Sequence, residues 1–167
     1  MQLAELNQLP VLQLKEQLLK CCGSLSWVEA MASHFPFHDK KVLFKKASEV
    51  WNNLTGKDWL EAFQHHPKIG DISSLKEKFA NTANWASGEQ ASVQNAAQET
   101  IKKLAEGNRI YEEKFGYIFI VCATGKSAEE MLQLLQTRLL NSEEKEIKLA
   151  AEEQGKITKI RLEKLLA

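Results

Sequence analysis

The residues best suited to chemistry lie in three short stretches. In EAFQHHPKIGD, residues 61–71, His65 and His66 stand directly before Pro67. A residue that precedes proline is pushed out of the α region, so the helix begun near Asp58 should stop at about His66. The imidazole of His66 then lies at the carbonyl end of a helix dipole, which favours the charged ring by about 0.3–1 kcal/mol. Such a histidine can exchange a proton near neutral pH; it can equally be a solvated end residue that satisfies free carbonyls. In ASGEQ, residues 86–90, Ser87 has the position of a helix cap and Gln90 can reach back to it. The same helix start offers unpaired N–H groups able to hold an anion or a polarised carbonyl, with Glu89 beside them as a proton-transfer partner. Arg161 falls between Ile157 and Leu165 in steps of four, inside an apolar helical stripe. It either snorkels at the edge of that stripe or points into a polar recess, where its planar fork suits a carboxylate.

Other arrangements are weaker. His34 and His38 have the His-x-x-x-His spacing of a helical metal site, but Pro36 between them would break the helix. The stretch CATGKSAEE lacks the first glycine of a phosphate loop, since Ile120 stands five positions before Gly125. Ser127 as a helix cap explains it better. The three cysteines, two of them adjacent at 21 and 22, form no disulfide or metal-ligand pattern and point to a reducing compartment. No basic, apolar leader opens the sequence, no apolar run approaches a membrane span, and no peroxisomal tripeptide closes it, so a cytoplasmic protein is expected. With 22 basic and 22 acidic side chains there is no net field to recruit nucleic acid or an anionic membrane. A small molecule or a protein partner fits better.

The elements that must position these residues are helical. Hydrophobic residues make up 44% of 167, an ordinary globular share, and only three prolines and eight glycines interrupt the apolar 3–4 spacing. No linker or repeat divides the chain, so a single all-α domain over residues 1–167 is expected. Helix starts are marked at Ser26 after a stop at Gly23, at Thr55 with Asp58, near Gly88, and at Ser127 with Glu130. A long helix should follow Gly88 with Val93, Ala97, Ile101 and Leu104 on one side, and a last one should carry Ile147 to Leu165, broken or bent at Gly155. FGYIFIVCA, residues 115–123, has the composition of a buried strand. Without a second strand to pair with, it reads as an extended or partly helical core segment. The tryptophans and Phe63 and Phe79 read as core.

Taken in order, CCGSLSWVEAM, DWLEAFQHHPKIGD, ASGEQ, KFGYIFIVCATGKSAEEML and EEQGKI with the following RL closely resemble the OHCU decarboxylase family, from about Leu9 to Leu166. That family acts on 2-oxo-4-hydroxy-4-carboxy-5-ureidoimidazoline. Each motif is modest alone, and their order and spacing are highly specific. The resemblance implies a compact all-α protein, a homodimer without cofactor or metal, that removes CO2 from a small molecule to give (S)-allantoin during urate breakdown. It implies catalytic roles for His66, Glu89 and Arg161. It further implies substrate contacts from Pro67, Ser87, Gly88 and Gln90 and, largely through the backbone, from Phe119, Ile120, Val121, Cys122 and Ala123. A metal-dependent hydrolase and a helical interaction module are the rival readings of the same residues.

Overall fold

The computed structural model describes residues 1–67, 72–79 and 90–167, without the side chains of residues 78 and 90–96. Its ordered elements are all helices: among the described residues there is no strand. They group into two compact units, Met1–His66 with Ile147–Ala167, and Pro67–Glu146. None of the described helices is long and apolar enough to cross a membrane.

The first unit contains α1 (Leu3–Asn7), α2 (Val11–Cys21), α3 (Leu25–Ser33), α4 (Lys40–Asn52), α5 (Gly56–Gln64) and most of α9 (Glu143–Leu165). Leu14 and Leu18 of α2, Trp27 and Met31 of α3, Leu43 and Trp51 of α4, Phe63 of α5 and Ala150, Ala151 and Leu162 of α9 form its buried core. The tryptophans also tie helices together, because a buried indole N–H needs an acceptor. Trp27 donates to the Ala47 carbonyl at 3.1 Å and Trp51 to the Ala151 carbonyl at 2.8 Å. Gly155 does not interrupt α9, contrary to expectation. Packing outweighs its poor propensity: the Trp51 indole lies against it, and a Cβ would sit 3.4 Å from Trp51 Cδ1.

Two helix starts differ in instructive ways. Thr55 and Asp58 form the expected capping box, with Asp58 accepting from the Thr55 N–H at 3.1 Å. For α3 the cap is Ser24, which accepts from the Trp27 N–H at 3.3 Å, and not Ser26. The Ser26 hydroxyl donates instead to Asp58 at 2.9 Å, a tertiary contact that local spacing does not reveal. His34 caps the end of α3 and α4 starts only at Lys40, so His34 and His38 share no helix.

The second unit contains α6 (Ile72–Phe79), α7 (Gln90–Phe115), α8 (Ala128–Leu139) and the first turn of α9. Helices α7 and α8 approach closely at Gly107, where a Cβ would come within 2.6 Å of Leu135 Cδ2. Ser127 caps α8 as expected, accepting from the Glu130 N–H at 3.2 Å. Gly116 ends α7 at φ +81°, its N–H donating to the Glu112 carbonyl at 2.8 Å. The chain then runs through residues 118–123 as neither helix nor strand.

That segment is strand-like in composition because it feeds an aromatic cluster. Tyr111 meets Phe115, Tyr117 and Phe119 with ring centroids 4.7, 5.9 and 5.2 Å away. Side chains take the place of a neighbouring strand: Arg138 Nη1 donates to the Ile120 carbonyl at 2.5 Å and Lys126 Nζ to the Cys122 carbonyl at 2.6 Å. Beneath it lies a buried charge network. Glu146, fully enclosed, accepts from Arg138 Nε at 2.7 Å, Arg138 Nη2 at 2.6 Å, Tyr111 Oη at 2.5 Å and Asn141 Nδ2 at 3.0 Å. Burial and the Glu146 bond push the Tyr111 hydroxyl far above the usual range, so it stays protonated and donates.

Candidate active site

The first unit builds a polar centre around the end of α5. The helix closes with His65 donating its N–H to the Ala62 carbonyl at 3.2 Å and His66 to Phe63 at 3.3 Å, and Pro67 prevents a further turn. Gly23, just past α2, is what lets His65 settle there. A Cβ on Gly23 would overlap the His65 Cβ and ring, so only glycine admits this close approach.

His66 turns inward. Its Nε2 is hydrogen-bonded to Gln154 Oε1 on α9. Gln154 has 0% exposure, and its Nε2 donates onward to Thr158 Oγ1 at 3.2 Å. Thr158 in turn lies next to buried Cys22. Gln154, Thr158 and Arg161 follow one another at i, i+4 and i+7, so α9 presents one polar row. Arg161 is half-buried and lies close enough to His66, Cys21 and Cys22 for its charge to act on all three. Among the described residues no carboxylate pairs with it. A guanidinium held this way is primed for an anionic group from outside the chain.

The electrostatics reverse one expectation. The helix end was expected to favour a charged His66, yet its pKa is lowered. Burial is the largest cause; Gln154 opposes it, and the charge of Arg161 and then His65 add to it. The ring is turned into the protein and not left over the carbonyls, so desolvation outweighs the dipole. His66 is therefore a neutral imidazole near pH 7. Burial likewise pushes the thiols of Cys21 and Cys22 up to about 11, which removes them as nucleophiles.

Of the residues singled out from the sequence, His66 and Arg161 are brought together in this unit. Ser87, Gly88 and Glu89 lie outside the described residues, and Gln90 opens α7 with its side chain also outside them. Pro67 is exposed at the start of the second unit. Phe119, Val121 and Ala123 are half-buried there and Ile120 and Cys122 buried. The carbonyls of Ile120, Cys122 and Ala123 are taken by Arg138 and Lys126, whereas the N–H groups of Phe119–Ala123 bond to no other described residue. Sequence reasoning missed Gln154 and Thr158. Their signal was two polar residues in register with Arg161, on a helix that otherwise buries apolar side chains on that side.

Comparison with known proteins places this arrangement. A sequence model of the family described as OHCU decarboxylase matches residues 7–163. The uric acid degradation bifunctional protein TTL of Arabidopsis thaliana is 36% identical over 88% of this chain and 45% of its own length. A 2-oxo-4-hydroxy-4-carboxy-5-ureidoimidazoline decarboxylase of Haloferax volcanii is 26% identical over 81% of this chain and 79% of its own. The chain thus spans less than half the length of the bifunctional relatives it matches. A crystal structure of OHCU decarboxylase in the presence of (S)-allantoin superposes with a TM-score of 0.72 at 35% identity, covering 90% of this chain and 97% of that one. An all-helical fold, a half-buried histidine just past α5 and an arginine on α9 that pairs with no carboxylate among the described residues accompany a match along nearly the whole sequence, and the chain belongs to the OHCU decarboxylase family.

Proposed function

We propose that this protein decarboxylates 2-oxo-4-hydroxy-4-carboxy-5-ureidoimidazoline to (S)-allantoin in urate breakdown, as a carboxy-lyase that needs no cofactor. The observation that carries the reading is the half-buried His66, its pKa lowered, close to an Arg161 that pairs with no carboxylate among the described residues, in a chain of this family. The substrate supplies its own electron sink. The electron pair of the C–CO2 bond moves into the adjacent ring C=N, whose nitrogen takes up a proton. The resulting enol then loses its hydroxyl proton while the ureido-bearing carbon gains one. The net result is one CO2 released and one proton consumed.

In this reading Arg161 binds the departing carboxylate, and neutral His66 is a base able to take the hydroxyl proton. Glu89 shares the proton traffic, and delivery to one face of the carbon sets the S configuration. The resemblance adds substrate contacts from Pro67, Ser87, Gly88, Gln90 and the backbone of Phe119–Ala123. The N–H groups of that last segment, which bond to no other described residue, support this assignment. We also take residues 1–167 as one functional domain, dimeric and cytoplasmic, acting on this small molecule and on neither nucleic acid nor membrane. The resemblance supports the dimer, and the cysteine pattern the compartment.

The test generates substrate from fresh urate with urate oxidase and follows optical rotation. Spontaneous decay gives racemic allantoin. With the protein present, a rotation of S sign should appear faster than decay, and His66→Gln should abolish both the excess rate and the selectivity. Racemic product at the spontaneous rate with the unaltered protein would reject the activity.

A further inference from the structure

The amide of Gln154 is the only side-chain partner of the His66 ring among the described residues, and its orientation is determined by what lies behind it. Thr158 Oγ1, one turn further along α9, accepts from the Gln154 NH2 group at 3.2 Å. With its NH2 group engaged there, the amide turns its oxygen to the opposite side, where it meets the His66 ring. The Gln154 carbonyl consequently faces His66, and a carbonyl can only accept. The neutral ring must therefore carry its proton on Nε2 and its lone pair on Nδ1.

We propose that Gln154 is the positioning residue of the site: through the Thr158–Gln154 relay it locks His66 in the Nε2–H tautomer and makes Nδ1 the basic atom. This deepens the proposed function and rests on the reading that His66 handles the proton. The relay also serves the charged state. When Nδ1 takes a proton, Nε2–H remains bonded to the same carbonyl, so the ring need not rotate between the two halves of the proton exchange. The other charged or titratable groups near His66 are Arg161, which disfavours the imidazolium, His65, which does so more weakly, and the protonated Cys22 behind Thr158.

The test is nitrogen NMR of the histidine rings in the full chain, with the His66 resonances assigned by comparison with His66→Gln. The unaltered protein should show Nε2–H above the pKa of His66. Gln154→Leu, similar in size, should release the lock so that Nδ1–H becomes populated. Its kcat should fall about tenfold or more, out of the roughly 10²–10⁴-fold that general acid–base catalysis supplies, with little change in KM. Gln154→Glu keeps an acceptor towards His66 and adds a negative charge. It should retain Nε2–H and shift the acidic limb of the kcat/KM profile to higher pH. An Nδ1–H ring in the unaltered protein, or an unchanged tautomer in Gln154→Leu, would overturn the lock. An Nε2–H ring combined with full activity in His66→Gln would leave the tautomer assignment standing and sink its catalytic use.

Discussion

Replacing Arg138 by methionine tests the buried charge network of the second unit. The guanidinium makes two contacts with Glu146, at 2.7 and 2.6 Å, holds the Ile120 carbonyl at 2.5 Å, and lies 4.6 Å from the centre of the Phe119 ring. Methionine fills comparable volume, so little of the loss comes from a cavity. What remains is a carboxylate with no exposure, held among the described residues by Tyr111 and Asn141. Removing one partner of a buried ion pair costs about 3–5 kcal/mol, and that is the destabilisation expected of Arg138→Met in urea unfolding. The cause is the stranded charge more than the lost bonds, so adding Glu146→Leu should recover at least about 1 kcal/mol. Recovery stays incomplete because Tyr111 and Asn141 then lack an acceptor. A cost below about 1 kcal/mol for Arg138→Met, the range of exposed ion pairs, would refute the argument. So would a double variant as unstable as the sum of the single ones.

The first unit carries further expected outcomes. The lowered pKa of His66 means that neutral imidazole persists below the usual histidine value of about 6.5, so the acidic fall of kcat/KM should lie on the acid side of that value. The sign for stability is the same. A depressed histidine contributes stability that is present above its unfolded pKa and lost as pH falls through its folded pKa, and His66→Gln should flatten that part of a stability–pH curve. Gly23→Ala should cost about 1–3 kcal/mol by driving a methyl group into His65, with a parallel loss of activity. Gly155→Ala, with its Cβ in ordinary contact with Trp51, should be neutral or gain up to about 1 kcal/mol of helix propensity; thermal melts of both variants would check the pair.

Much of the helical plan was legible because its signals are local. The Thr55–Asp58 box, the Ser127 cap and the His66–Pro67 stop each depend on residues within one turn, and each is found where the sequence places it. Misreadings arose where a distant residue decides. Ser24 and Ser26 are equivalent locally, and Asp58, 32 positions on from Ser26, claims one of them. The continuity of α9 through Gly155 depends on Trp51. The His66 ring is governed by Gln154, 88 residues away, and a helix-dipole argument cannot see that burial. Residues 115–123 carry a strand's composition because aromatic packing and side-chain donors meet the same needs as a sheet would.

The paired thiols of Cys21 and Cys22 bear on how long the site can keep working. They sit within range of Arg161, and Cys22 touches the relay behind His66, so a sulfur oxidised there would intrude among the working groups. Oxidants and alkylating agents attack the thiolate. With both groups held at about 11, on the order of one in ten thousand is ionised at pH 7. The burial that takes these sulfurs out of the chemistry thus also shields the site from ageing, and alkaline solution is where that protection should first give way.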